Sequence, residues 1–493
     1  MSVARRLSHV TGIIGVLVIY AGILVVGLIA VAATSRLGAR LDAIWADLPG
    51  VIGFRGVAMA LVYLACVGAL VVGIRRAGEA TLRRFMPWGG LLLLVAIRMV
   101  AIPLIETPLT PDNDPFYLHQ LAVGVLDGGN WMVSPRPMGF SAMLGALYAV
   151  FGIHPWLGEV LNLALATAAG WMLYRFVLVG WGGRPAAMAL TLYAVVLSQI
   201  LLVTTIFTEV AYSAFLLAAL IVAARAVRSG RFAVALAAGA LLALSQYVRP
   251  LSQAFLATFV MLPFLSGLRP SRAATLAAGM TLTFLVVLAP VAVHNVTAHG
   301  SLSLATSSYG GWSVFVGANQ EHGGMFNRDD QAILRATPGS VWEQSEILGR
   351  AGIERITADP RGFAELATRK FRIMWGDDTY AVGAALSGST VSDPIREGLE
   401  LASQATYAVV AGAAAVGLWR TRRRPSPEAL LLAGVLVTVA VAHIFVEVQP
   451  RYHAYTLPLL CALAAIFLGA APASTNDPAG SPYVEDQGLE GPS

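Results

Sequence analysis

Long apolar runs separated by short polar loops dominate the chain, and many of them approach the ~20 residues that a bilayer core requires. Twelve such segments can be marked, near 10–33, 56–74, 87–105, 156–178, 185–206, 209–227, 232–248, 251–267, 273–293, 403–419, 428–446 and 453–470. The first follows Arg5 and Arg6 and exceeds the ~7–15 residues of a signal-peptide core, so it reads as an uncleaved helix. The pattern predicts an all-α polytopic membrane bundle. Its organisation is a transmembrane part over 1–294, an outer segment over 295–402, C-terminal spans over 403–470 and a disordered, cytoplasmic tail over 471–493.

Two interruptions break the rhythm. In the first, 106–155, the apolar residues Phe116, Leu118, Leu121, Ala122 and Val125 recur at helical spacing before Gly128-Gly129. A second apolar stretch runs from Met138 to Phe151, after Pro137. Both read as helices lying in the interface plane, with a re-entrant piece as the alternative for the second. The other interruption is Gly- and Ser-rich at its start and helical from Ser340 to Trp375, with a break at Asp359-Pro360. It reads as a cap over a cavity embedded in the membrane.

Composition agrees with the pattern. Hydrophobic residues make up 57% and charged residues 12%, where soluble domains carry roughly 25% charged, and the mean hydropathy is +0.70. The net charge of +5 comes from arginines in alternate loops: Arg5/Arg6, Arg75/Arg76/Arg83/Arg84, Arg184, Arg225/Arg228/Arg231, Arg269/Arg272 and Arg420/Arg422/Arg423/Arg424. By the positive-inside rule these loops are cytoplasmic, as are both termini, and 106–155 and 295–402 face out of a plasma membrane. No basic stripe interleaved with aromatics points to nucleic acid. Cys66 and Cys461 lie in apolar runs and read as buried small residues with no metal-binding spacing.

That orientation gathers the chemistry on one face: Glu106, Asp112, Asp114, His119, Asp127, Arg136, His154, Glu209, Arg249, His294, Glu447 and Arg451. Asp112 and Asp114 sit between Pro111 and Pro115 at a helix start, where a carboxylate is either an N-cap or a catalytic group. Arg136, Arg249 and Arg451 each adjoin a proline that pins the backbone, which makes them candidate phosphate clamps; snorkelling at the interface is the alternative. Glu209 begins a span and is either a cap or a site carboxylate. Arg98, inside the third span, is expected to pair with Glu106 or Glu159 in a structural role. Tyr117, Tyr309 and Trp312 could stack on a sugar or pack in a core. No histidine spacing requires a metal, although an aspartate pair in a phosphate site can recruit one divalent cation.

Sugar transfer at a membrane surface needs a carboxylate to take a hydroxyl proton, cations to hold a phosphate leaving group, and an apolar slot for the lipid that carries it. Four patches make the chain resemble the integral-membrane glycosyltransferases of the GT-C type, in the branch of bacterial protein O-mannosyltransferases and the aminoarabinose transferase of lipid A. They are Asp112–Gly129, Arg136–Gly152 (RPMGFSAMLGALYAVFG), Pro290–Gly324 and Pro450–Pro458, joined by Thr208-Glu209 and Arg249-Pro250. The resemblance implies a polyprenyl-phosphate-linked sugar donor, transfer with inversion to an acceptor hydroxyl on the extracytoplasmic side, and a first-loop aspartate as general base. It also adds Asn295 to the substrate-binding candidates. In that branch the aspartate stands four residues before Tyr117, where this chain has Asn113. Either Asp112 with a one-residue insertion or Asp114 with a deletion takes the role, and Asp112 is slightly favoured. The branch's arginine before Asn295 is His294 here. The rival reading is a polytopic transporter or a lipid-linked-sugar flippase, for which charges near mid-membrane and inverted repeats would be expected. The sugar and the acceptor (glycan, lipid or protein) stay open at this level.

Overall fold

The computed structural model describes residues 3–46, 51–84, 86–105, 109–111, 113–128, 136–389 and 391–470, and these are helical without a β-strand. Among them nine helices are long and apolar enough to cross a bilayer, and a bent pair makes a tenth span. Two expected spans are short: Phe232–Val248 keeps its expected bounds, and Ser252–Leu265 falls inside the expected 251–267. At 1.5 Å per residue they reach roughly 26 and 21 Å, short of a ~30 Å hydrocarbon core. The Arg249-Pro250 step ends the first of them, because a residue before proline is driven out of the helical region.

The bent pair is Gly183–Val195 and Leu197–Thr204, which meet at 62° across an extended Val196. A break within a membrane leaves carbonyls without helical partners. Arg98 fills this need rather than pairing with an acid. Its fully buried guanidinium donates to the carbonyls of Tyr193, Ala194 and Gln199 at 3.1–3.2 Å and to Leu94 at 3.3 Å. Of the two expected partners, Glu106 lies outside the described residues, and Glu159 is not among the groups bonded to Arg98.

At the centre stands the Asp393–Thr421 helix, packed on Val3–Ala46, Val51–Arg76 and Leu457–Leu468. Glu209–Ser229 packs on Trp156–Trp181 and Phe232–Val248, and the latter on Pro270–His299. In lipid, helices associate through close packing more than through water exclusion, so small residues sit at crossings. A Cβ at Gly417 would lie 1.8 Å from the Leu463 carbonyl oxygen, and one at Gly239 would lie 2.0 Å from that of Met280. Cys461 is buried as expected; Cys66 is not, and faces outward from its helix.

The segment expected to face out, 295–402, is bounded more narrowly by its flanking helices. The preceding helix continues to His299 and ends at Gly300 in the left-handed conformation, while the next begins at Asp393 with Pro394 in its first turn. Between them lie Gly310–Gly317, Arg328–Ala336, Val341–Ala358, Pro360–Gly376 and Tyr380–Ala385. Ser340 and Glu343 form a capping box, and Trp312, Phe315, Val316 and Leu348 make a small core. The chain's single lysine, Lys370, is buried and joins this segment to the bundle by donating to the Gly317 and Ile444 carbonyls, both at 2.8 Å. The first helix runs on past its apolar stretch to Ala46, so Arg36 reaches Asp377 at 3.0 Å and Arg40 reaches Glu400 at 2.7 Å. The tail, 471–493, lies outside the described residues.

Candidate active site

The two helices expected in the first loop are Asp114–Leu126 and Gly139–Phe151, packed on each other. A Cβ on Gly145 would stand 2.8 Å from the Ala122 carbonyl, so the pair is close. Ser141 donates to the Leu118 carbonyl at 3.1 Å, and His119 shares a 2.8 Å hydrogen bond with the Tyr148 hydroxyl. The cap of the first helix is Asn113, whose side chain accepts from the Phe116 amide at 2.9 Å. Asp114, one residue on, is therefore free of capping duty. Asp112 lies outside the described residues.

The carboxylate of Asp114 ion-pairs with Arg136 through one oxygen and with Arg451 through the other. Burial alone would raise its proton affinity. The two guanidiniums outweigh burial and hold its pKa at about 2. Arg451 comes from a 3-10 turn, Pro450–Thr456, that precedes the last helix. It is buried, donates to the Tyr380 hydroxyl at 3.1 Å, and places its Nε 3.5 Å from Glu209. Glu209 opens its helix without a capping bond; it is 2% exposed and ion-pairs with Arg249 at 2.7 Å. Its second oxygen is buried with no hydrogen-bond partner. Aromatic faces line the arginines: Tyr117 lies 5.4 Å from Arg136, Tyr452 lies 5.0 Å from Arg249, and Phe207 lies 4.8 Å from Arg451.

Thus Asp114, Arg136, Arg249, Arg451, Glu209 and Tyr117 come together, although they are spread over more than 300 positions of sequence. Each sits at or near the end of a helix or turn, where an irregular backbone can aim side chains at one point. Among the described residues three arginines face the carboxylates of Asp114 and Glu209 here. Glu447 lies within electrostatic reach of Asp114, Arg136 and Arg451, and burial pushes its carboxyl above the ordinary value. Gln449 donates to Glu447 at 2.9 Å. A pocket with three guanidiniums and aromatic walls suits a phosphate and a sugar.

Two sequence candidates lie elsewhere. Asn295 is fully buried and donates to the Ser303 and Ala305 carbonyls at 2.9 and 3.1 Å, so it shapes the turn after its helix instead of joining the arginines. Trp312 is packed in the core of the outer segment. Glu106 lies outside the described residues. Among the described residues no three His, Cys, Asp or Glu side chains converge as metal ligands, and the guanidiniums beside Asp114 would repel a cation there.

Sequence reasoning gave no role to Tyr380, Asp378 or His453. Asp378 and His453, both buried, approach at 3.1 Å behind Arg451 and fix its turn to the outer segment. The signal was the dense polar string Gly376-Asp377-Asp378-Thr379-Tyr380 directly after an amphipathic helix. Beside this layer an apolar groove of about 1050 Å³ runs between Val3–Ala46, Pro360–Gly376 and the end of Pro427–Phe445. Leu28, Val31, Phe371 and Val441 line it, Arg36, Arg369 and Arg372 add positive charge, and it extends to Pro450, next to Arg451.

No protein-family model matches the chain, and no curated protein matches it either. Among solved structures it is similar to the crystal structure of the Archaeoglobus fulgidus oligosaccharyltransferase tethered with an acceptor peptide containing the NVT sequon. That likeness has a TM-score of 0.49 at 12% identity and covers 79% of this chain. The chain spans 50% of the length of that protein.

Proposed function

We propose that this protein is a membrane glycosyltransferase that moves a sugar from a polyprenyl-phosphate donor to an acceptor hydroxyl on the extracytoplasmic face. One observation carries the reading. A carboxylate, Asp114, is held between two guanidiniums, with a third arginine alongside, in a polar layer that adjoins a lipid-sized apolar groove.

In the resting arrangement the pKa of Asp114 is too low for a useful base. A donor phosphate changes this, because it competes for Arg451 and Arg136 and releases the carboxylate from both. Arg249, kept in place by Glu209, adds a third contact to the phosphate. The prenyl chain lies in the groove that ends at Pro450. The acceptor oxygen then attacks the sugar C1 as its proton passes to Asp114. The C1–O bond breaks with its electron pair going to the phosphate oxygen, and the arginines stabilise that charge as it develops. In-line attack inverts the anomeric centre. Base activation thus depends on donor binding, which limits proton transfer to times when a phosphate is present. Asp112, the other first-loop aspartate, is the alternative base.

A broken helix can mark a transport path. Here the freed carbonyls at the break are taken by Arg98, and Gln199 donates to the Ala454 carbonyl at 3.0 Å, so the break is filled by protein groups. The test is mass analysis of lipid-linked sugars and of envelope glycans in cells lacking the protein. The transfer reading predicts accumulation of a polyprenyl-phosphate sugar together with loss of one sugar from an acceptor. A donor trapped on the cytoplasmic leaflet, with transfer intact in isolated membranes, would point to a flippase instead.

A further inference from the structure

A second concavity, of about 450 Å³, lies between the 303–311 loop and the Val341–Ala358 helix, away from the apolar groove. Its volume falls in the ~300–1,000 Å³ range of small-molecule sites. Its lining joins apolar surface from Ala305 and Ile353 to the hydroxyls of Ser303 and Ser308, the aromatic plane of Trp342, the carboxylate of Glu346 and the guanidinium of Arg350.

The walls are firmly built. The Gly310–Gly317 helix is locked against the Val341–Ala358 helix, since a Cβ on Gly311 would lie 1.8 Å from the Ser345 carbonyl oxygen, and the Gly311 amide donates to the Ser345 hydroxyl at 3.0 Å. Trp342 is held flat by His299, with ring centroids 4.8 Å apart and planes 2° from parallel, and its indole N–H donates to Glu346 at 3.2 Å. Ser308, 8% exposed, borders the concavity, and its hydroxyl has no hydrogen-bond partner among the described residues. A hydroxyl in that state can both donate to and accept from a group that reaches it.

The loop links this concavity to the arginine cluster. Thr306 donates to the Gln246 carbonyl at 2.8 Å, three residues before Arg249. Tyr309, next to Ser308, lies within electrostatic reach of Arg136 and Tyr117. One short stretch of backbone therefore borders both the polar concavity and the arginine layer.

We infer that this concavity binds a saccharide, the acceptor glycan whose hydroxyl is presented to Asp114. The inference rests on the glycosyl-transfer reading and narrows its acceptor to a carbohydrate. A sugar ring offers an apolar face for the Trp342 plane and a rim of hydroxyls for Ser308, Glu346 and Arg350. A lipid chain would leave the hydroxyls, Glu346 and Arg350 without polar partners, and an anionic headgroup would meet Glu346 as well as Arg350.

The experiment is saturation-transfer difference NMR on the full chain in lipid nanodiscs. The probes are methyl hexosides, methyl pentosides and their linear disaccharides, with a neutral Ser/Thr-containing tetrapeptide as the comparison. A saccharide probe should receive saturation from the protein, and Trp342→Ala should reduce that signal at least about fivefold. Trp342→Phe should retain most of it, and Asp114→Asn, which the transfer reading makes inactive, should retain it fully. Size-exclusion profiles and the Trp342→Phe protein guard against loss of fold. The inference is overturned if no saccharide gives a Trp342-dependent signal, or if only the peptide does. Loss of the transfer reading would instead show as no sugar transfer by the parent protein from a polyprenyl-phosphate sugar to any saccharide, which leaves this binding result intact.

Discussion

Glu209 and Arg249 make the most discriminating pair to perturb, because the proposed mechanism gives them a task in donor binding beside their structural one. Glu209 is 2% exposed, and its partners are Arg249 at 2.7 Å and the Nε of Arg451 at 3.5 Å. Removing one member of a buried pair costs ~3–5 kcal/mol, since the other charge is left desolvated and unpaired. Arg249→Met should sit near the lower end, because Glu209 keeps Arg451. Glu209→Gln should also destabilise, since it leaves the buried Arg249 without its carboxylate and Arg451 with Asp114 alone. The double variant removes both charges, so it should be more stable than either single, with a coupling of about 2–3 kcal/mol. A chain of many spans does not unfold in two states, so the fitting readout is the unfolding rate in detergent at one temperature, followed by circular dichroism. Activity should diverge from stability. A charge-assisted hydrogen bond is worth ~1.5–3 kcal/mol, so loss of the Arg249 guanidinium should raise the donor KM roughly 10- to 150-fold, and the double variant should not recover it. Two results would refute the reasoning: a double variant less stable than both singles, or one that regains the parental donor KM.

Three further outcomes follow from the packing and charge. Arg98→Leu should destabilise by about 3 kcal/mol or more, measured as faster unfolding, because the carbonyls of Leu94, Tyr193, Ala194 and Gln199 lose a shared donor within an apolar layer. Gly417→Ala should push the Asp393–Thr421 and Leu457–Leu468 helices apart, because its Cβ would lie 1.8 Å from the Leu463 carbonyl oxygen; protease sensitivity of the folded protein in detergent should rise. The carboxyl of Asp114 titrates at about 2 against an ordinary 3.8, so it contributes stability that is present above the ordinary value and lost as pH falls through the folded one. That contribution is about 2 kcal/mol at neutral pH, and unfolding of Asp114→Asn should be less sensitive to pH than that of the parent between pH 5 and pH 2.

The bundle was legible because membrane helices announce themselves by length and apolarity, and the arginine cluster because arginines beside prolines at helix ends are unusual enough to note. Asp114 was visible as one of a pair, but its freedom from capping depends on Asn113 doing that work, which composition does not reveal. Arg98 was misread for a physical reason: a buried arginine can be satisfied by carbonyls as well as by an acid, and the carbonyls exist only because Val196 breaks a helix that reads as continuous. Asn295 matched a motif by position, yet its neighbours in space are the Ser303 and Ala305 carbonyls. Tyr380, Asp378 and His453 escaped notice since their partners lie about 70 residues or more away.

Sugar transfer by purified protein in nanodiscs, with a synthetic polyprenyl-phosphate sugar and with donor binding measured in parallel, tests the central claim most directly. Asp114→Asn should bind the donor at least as well as the parent, because Arg136 and Arg451 no longer have a carboxylate to compete with the phosphate, and its turnover should fall at least about 100-fold, the usual worth of a general base. Near-parental turnover in Asp114→Asn, with donor still bound, would contradict the account.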